Sequence, residues 1–112
     1  MQDEVVNYFL ELISIDSESG DERAIIDRLK ADLKALGAKV EEDDAYILTG
    51  GNAGNLYAQI PGNLNKKPIL FCAHSDTVKP GKGIKPIVKD GIIYSDGTTI
   101  LGSDDKSGIA EL

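Results

Sequence analysis

Residues 68–73 read Pro-Ile-Leu-Phe-Cys-Ala, and His-Ser-Asp-Thr follows at 74–77. No other stretch restricts the fold as strongly. A half-buried strand alternates apolar and polar residues. A continuous apolar run that stops abruptly at polar groups is the pattern of a strand covered on both faces. Such a strand sits inside a sheet with helices packed against it. The run over 68–77 therefore predicts an α/β fold, and its polar end is where open α/β sheets place their ligands.

The surrounding chain is consistent with that class. Val5, Val6, Phe9, Leu10 and Ile13 recur at helical spacing, with Asp3 and Glu4 in a first turn that favours negative charge. IDSESGDE then breaks the period. Ser19 followed by Glu22 is a capping-box pattern, and it predicts a second helix over 21–36 with Ile25, Ile26, Leu29, Leu33 and Leu36 on one face. Gly37 stands where a helix-ending glycine belongs. Residues 38–42 read as an edge strand, TGGNAGN at 49–55 as a turn cluster, and NLYAQIPG as a second strand. Asp90-Gly91 between two short apolar runs is a hairpin signal. TTILGSDDKSGIAEL at 98–112 passes from a loop into the start of a helix. Helix, helix, three strands, hairpin and helix make a layered α/β domain, a mixed sheet flanked by helices. The last element starts near Asp105 and the sequence stops at Leu112. A mean helix runs to about 11 residues, so residues 1–112 read as the front portion of a longer chain, with no second domain.

Composition removes several functions. The chain carries a net charge of −7, with 41% apolar and 28% charged residues. Acidic balance argues against a phosphate-binding surface and against anchoring to anionic lipid. No apolar run approaches the ~20 residues of a membrane span. The N-terminus lacks the basic segment and cleavage site of a signal peptide. Cys72 is the single cysteine. It permits neither an internal disulfide nor a cysteine-based metal cage, and it reads as a buried, inert thiol in a cytoplasmic protein.

His74 is the single histidine, and Asp76 lies two residues on, on the same side of the predicted strand. A carboxylate beside a ligand histidine commonly takes the bond from its other ring N–H. By itself the His-x-Asp pair favours a plain turn histidine, because zinc sites use three or four protein ligands. A second acidic cluster, Asp104-Asp105 in GSDDKSG, alters the balance. Either acid alone would be a helix cap or a dipole-favoured charge, with Lys106 offsetting it. Two such clusters after two predicted β elements suit a site where a carboxylate bridges two metal ions. TGGNAG lacks the Gly-Lys-Ser/Thr of a phosphate loop and reads as a turn. Tyr46, Tyr57 and Tyr94 read as half-buried packing, and Lys79, Lys82, Lys85 and Lys89 as a solvated face.

Taken together, AHSDTVKPGKGIKPIVKDG, IYSDGTTILGSDDKSGIAEL, AGNL at 53–56 and LISIDSESGDE at 12–22 resemble the front part of peptidase T-like enzymes. These are tripeptide aminopeptidase-type members of the dizinc aminopeptidase and deacylase superfamily. The resemblance spans essentially the whole chain. It implies that His74 ligates one zinc, that Asp76 is the catalytic-shell acid orienting His74, and that Asp104 bridges two zinc ions. It also implies that Asp105 follows Asp104 through a peptide bond that is often cis. The substrate it implies is a short peptide, shortened from its amino end. The family's Glu-Glu pair, a further acidic ligand and a late histidine have no counterpart in 1–112, so the general base is expected beyond residue 112. An amidohydrolase or deacylase on the same scaffold, or a non-catalytic remnant, are the competing readings. Unpaired sheet edges further predict self-association, a homo-oligomer among the forms expected.

Overall fold

The computed structural model describes residues 2–112, with the side chains of Gln2 and Asp3 outside the description. Eight elements follow in order: α1 Gln2–Ile13, α2 Arg23–Ala35, β1 Lys39–Glu42, α3 Tyr46–Thr49, β2 Leu56–Gln59, β3 Pro86–Lys89, β4 Ile92–Ser95 and α4 Ser103–Glu111. The α/β class expected from the sequence is the one the chain adopts.

The core forms along the expected face of α2, while on α1 Phe9 and Ile13 are buried as expected, Val5, Val6 and Leu10 are half-buried, and Leu12, outside the expected face, is fully buried. Leu12 clusters with Ile25, Ile26 and Leu29 of α2, and Ile109 and Ala110 of α4 pack against this cluster. Each such side chain contributes about 1.5–3 kcal/mol through removal from water. Leu12 and Ile25 are fully enclosed, whereas Leu36, expected on the inner face, is exposed at the helix end. Around the core, Arg28 ties the two long helices together. It bonds Asp32 at 2.7 Å, pairs with Glu11 at 2.5 Å and lies over the Tyr8 ring. Helix α2 ends as Gly37 predicts. The Gly37 amide bonds the Lys34 carbonyl and the Ala38 amide the Leu33 carbonyl, both at 3.0 Å, with Gly37 at φ +86°.

The two strands expected after Gly37 and the hairpin expected at Asp90-Gly91 all form. Strands β1 and β2 run antiparallel with Lys39 opposite Gln59 and Glu42 opposite Leu56. Strands β3 and β4 are antiparallel with Lys89 opposite Ile92. Asp90 and Gly91 have φ of +52° and +74°, the two left-handed residues a tight hairpin turn needs.

Four expectations need correction. The strands form two separate two-stranded sheets. Residues 68–76 form no strand, and only Thr77 joins an isolated parallel bridge, to Glu18. The reason is physical: a doubly covered strand needs neighbours on both edges and both faces, and none of the described elements supplies them. Ile69 and Leu70 are 79% and 85% exposed. Cys72, expected to be buried, is exposed for the same reason. Tyr46, Tyr57 and Tyr94 are exposed as well.

Candidate metal centre

The polar end of the apolar run carries the chemistry. Its position is fixed by the α1–α2 connection, residues 14–22. The Thr77 amide bonds the Ser17 carbonyl at 2.8 Å, and the Ser19 amide bonds the Thr77 carbonyl at 3.1 Å. The Ser17 hydroxyl donates to the Ser75 carbonyl at 2.9 Å. Ser17 and Thr77 are buried. The same connection holds the following loop, since Asp16 accepts from the Gly83 amide and Glu18 from the Gly81 amide, each at 2.9 Å. Residues 75–83 are therefore pinned to one side of the helical core.

On this support stands His74. Its Nδ1 faces both the Asp76 carboxylate and the Asp76 carbonyl at 3.1 Å. Acceptors face both ring nitrogens, Asp76 at Nδ1 and Asp104 at Nε2; with an ion on Nε2 the ring proton would stay on Nδ1, held by Asp76. Nε2 lies 3.0 Å from Asp104 Oδ1. The Asp104 bond, opposed by desolvation and helped by Asp76, raises the His74 pKa above its ordinary 6.5. The Ser19 hydroxyl donates to Asp76 Oδ2. That bond, together with His74, holds the Asp76 carboxyl below the usual carboxylate range against the effect of burial. His74, Asp76 and Asp104 are thus brought together although 30 residues separate the outer two.

Asp104 reaches the histidine because the chain bends sharply at the start of α4. Gly102 has φ +79°, and Asp104 and Asp105 depart from helical geometry inside the element. The Asp104–Asp105 peptide is cis. Asp105 does not join the histidine; its carboxylate folds over Gly108, where an added Cβ would fall 2.4 Å from Asp105 Oδ1. Lys106, expected to offset the two acids at the surface, is instead fully buried and donates to the Ile15 carbonyl at 2.7 Å. Burial pushes its pKa down to about 8, with Asp16 opposing the shift. Lys106 shares its helical face with Ile109 and Ala110, and that spacing is the sequence signal for its inward direction. The four lysines of the 79–89 stretch are exposed, as expected.

The donor set fits a divalent ion in part. Zinc bonds to nitrogen and carboxylate oxygen are about 2.0–2.2 Å long. Donors 3.0 Å apart, such as Nε2 and Asp104 Oδ1, can therefore share one ion. Asp76 stands behind the imidazole, as an orienting carboxylate does. Among the described residues, no group of three or more His, Cys, Asp and Glu is arranged to hold a metal. Residues 2–112 thus offer two ligands to a site that wants three or four. Two open concavities, one beside Arg23, Lys30 and Glu42 and one along the β1–β2 ribbon, do not include His74. No described helix is long and apolar enough to cross a membrane.

No protein-family model matches the chain. It is 48% identical over 104 residues to an uncharacterized protein, YqjE, of Bacillus subtilis, covering 93% of this chain and 28% of that one. It is 25% identical to Peptidase T of Listeria welshimeri over 150 aligned positions, with all of this chain and 37% of the relative covered. Among solved structures, aminopeptidase PepT of Bacillus cereus matches at 49% identity with a TM-score of 0.94, over 98% of this chain and 30% of that chain. A tripeptidase of Staphylococcus aureus matches at 46% identity with a TM-score of 0.95 and the same coverage. The chain therefore spans about a third of the length of these relatives. The resemblance to peptidase T-like enzymes carried by its motifs is met in both sequence and structure.

Proposed function

We propose that residues 1–112 are the N-terminal portion of the catalytic domain of a zinc-dependent, peptidase T-like aminopeptidase. The proposed reaction is removal of the N-terminal residue of a tripeptide. The observation that carries this reading is the convergence of His74, Asp76 and Asp104 on one point, in a chain whose solved neighbours are an aminopeptidase and a tripeptidase. His74 and Asp104 are the proposed metal ligands. Zinc, when bound, would polarise the scissile carbonyl and acidify a bound water. This chain's residues prepare for that. Asp76 orients the ring through Nδ1, Nε2 faces the point where the ion would sit, and the bend at Gly102 delivers the Asp104 carboxylate to the same point. The Glu18 and Asp16 contacts to Gly81 and Gly83 keep the site loop in place. A cytoplasmic setting goes with this reading, and the short peptide is its one proposed substrate partner.

The test uses the whole protein in which this chain occurs. Amino-acid release from a tripeptide is measured together with zinc content. The expected result is chelator-sensitive release from the amino end. His74→Ala and Asp104→Ala should each abolish release with loss of zinc, and Asp76→Ala should lower release by about 10- to 100-fold while retaining part of the metal. Full activity and full zinc in His74→Ala would refute the site.

A further inference from the structure

The Ser19 hydroxyl has no part in capping α2, whose N-terminus carries no side-chain cap bond. It points instead to the carboxylate behind the histidine. We infer that Ser19 is a positioning residue of the candidate metal centre: it fixes the Asp76 carboxylate in the orientation that accepts the His74 Nδ1–H, and thereby favours the tautomer that presents Nε2 as the ligand atom. The inference builds on the reading of His74 as a metal ligand.

Three observations support it. First, the two oxygens of Asp76 are divided. Oδ1 faces His74 Nδ1 at 3.1 Å and Oδ2 takes the Ser19 hydroxyl. The terminal torsion of an aspartate is broad and roughly two-fold, so a single bond to an imidazole does not define its plane. A second tether on the other oxygen does. Second, Asp76 is open enough to need one. Its side chain is 38% exposed, so water would compete for Oδ2 if the hydroxyl were absent. Third, Ser19 is itself held by backbone. Its amide bonds the Thr77 carbonyl at 3.1 Å, next to the Glu18–Thr77 bridge and the Thr77–Ser17 bond. The hydroxyl has one proton and two acceptors in reach. The Thr77 carbonyl is the farther, at 3.3 Å, and already receives the Ser19 amide. The proton therefore belongs to Asp76.

The chain has one histidine, so the ring can be read without assignment ambiguity. The protein is labelled with 15N-histidine and held metal-free at a pH well above the His74 midpoint, where the ring is neutral. Long-range 1H–15N spectra then give the fraction of each tautomer. A carboxylate faces each ring nitrogen, so the wild-type tautomer ratio is the reference. Ser19→Ala should move population towards the Nε2–H form, and Ser19→Thr, which keeps the hydroxyl, should restore it. Ser19→Ala added to Asp76→Asn should have no further effect, because the serine acts through that carboxylate. Ser19 is exposed, so Ser19→Ala should fold, and its thermal unfolding verifies this. Zinc dissociation constants from competition with a chromophoric chelator provide the second measurement. Ser19→Ala should weaken zinc by a factor of about 10, at the lower end of what loss of an outer-shell partner does. An unchanged tautomer in folded Ser19→Ala overturns the inference, as does an additive effect on top of Asp76→Asn. A shifted tautomer with unaltered zinc binding upholds the positioning role and overturns instead the reading of His74 as a metal ligand.

Discussion

Residues 15–21, Ile-Asp-Ser-Glu-Ser-Gly-Asp, are nearly all polar, and residues 68–73, Pro-Ile-Leu-Phe-Cys-Ala, are nearly all apolar. The polar stretch is the one built into the molecule. Ser17 is fully enclosed, the Ile15 carbonyl receives the buried Lys106, and Asp16, Glu18 and Ser19 each bond a different part of the site loop. The apolar stretch stands in solvent and forms no ladder. The contrast shows how differently the two interactions are completed. A hydrogen bond needs one partner atom, and a short connection can find several within 112 residues. Apolar burial needs area on every side, and a segment with free edges and faces cannot supply it to itself.

The largest expected effect tests that contrast directly. Leu12 is fully buried between α1 and α2, and Leu70 is 85% exposed. Leu12→Ala should cost about 2–5 kcal/mol of unfolding free energy, and Leu70→Ala should fall within about 0.5 kcal/mol of wild type. Urea unfolding of both variants measures it. If Leu70→Ala destabilises the chain as Leu12→Ala does, the apolar run is covered in solution and the contrast fails.

Next in size is the buried lysine that joins the polar connection to α4. Its pKa falls from 10.5 to about 8, chiefly through burial. Between those values the unfolded chain holds a proton that the folded chain has released. Stability therefore rises with pH across that window. At ~1.4 kcal/mol per pKa unit the full rise is ~3 kcal/mol. Lys106→Met lacks this gain, so the stability difference between wild type and Lys106→Met should move in favour of wild type from pH 8 to pH 10.5. Denaturant titrations at several pH values follow it. A difference that stays flat would mean that Lys106 reaches water, and the polar connection would lose one of its anchors.

Local signals made much of this legible in the sequence. The periods of α1 and α2, the glycine ending α2 and the Asp90-Gly91 turn each depend on residues close in sequence, and each forms where expected. The apolar run was misplaced because its pattern states what a strand would need on both faces, and those partners are not among residues 2–112. Ser19 was misread because a serine three residues before a glutamate suits a helix cap as well as it suits a bond to Asp76, 57 residues away. Lys106 beside two acids read as charge balance, although its register with Ile109 and Ala110 pointed inward. His74, Asp76 and Asp104 could be nominated from residue type and spacing, but the approach of Asp104 to 3.0 Å from the ring depends on the bend after Gly102.

The smallest expected effect lies where the two stretches join, at His74. This residue ends the apolar run and is tied through Asp76 to the polar connection. Its pKa is raised above 6.5, with the Asp104 bond as the leading cause and Asp76 contributing further. A raised histidine stabilises the folded metal-free chain fully below pH 6.5, and that contribution is lost as pH climbs through the folded midpoint. Loss of that proton leaves the ring neutral and able to ligate an ion through Nε2, the nitrogen that faces Asp104. Zinc should therefore bind more tightly as pH passes the same midpoint, with release of that proton. A 1H NMR titration of the single histidine should give a midpoint above 6.5 in the wild-type chain. Asp104→Asn should lower it more than Asp76→Asn does. The reverse order would make Asp76 the dominant partner and set the His74–Asp104 contact apart from the proton. A wild-type midpoint at or below 6.5 would mean that the bend after Gly102 does not hold Asp104 against the ring in solution, and the site would then rest on the polar connection alone.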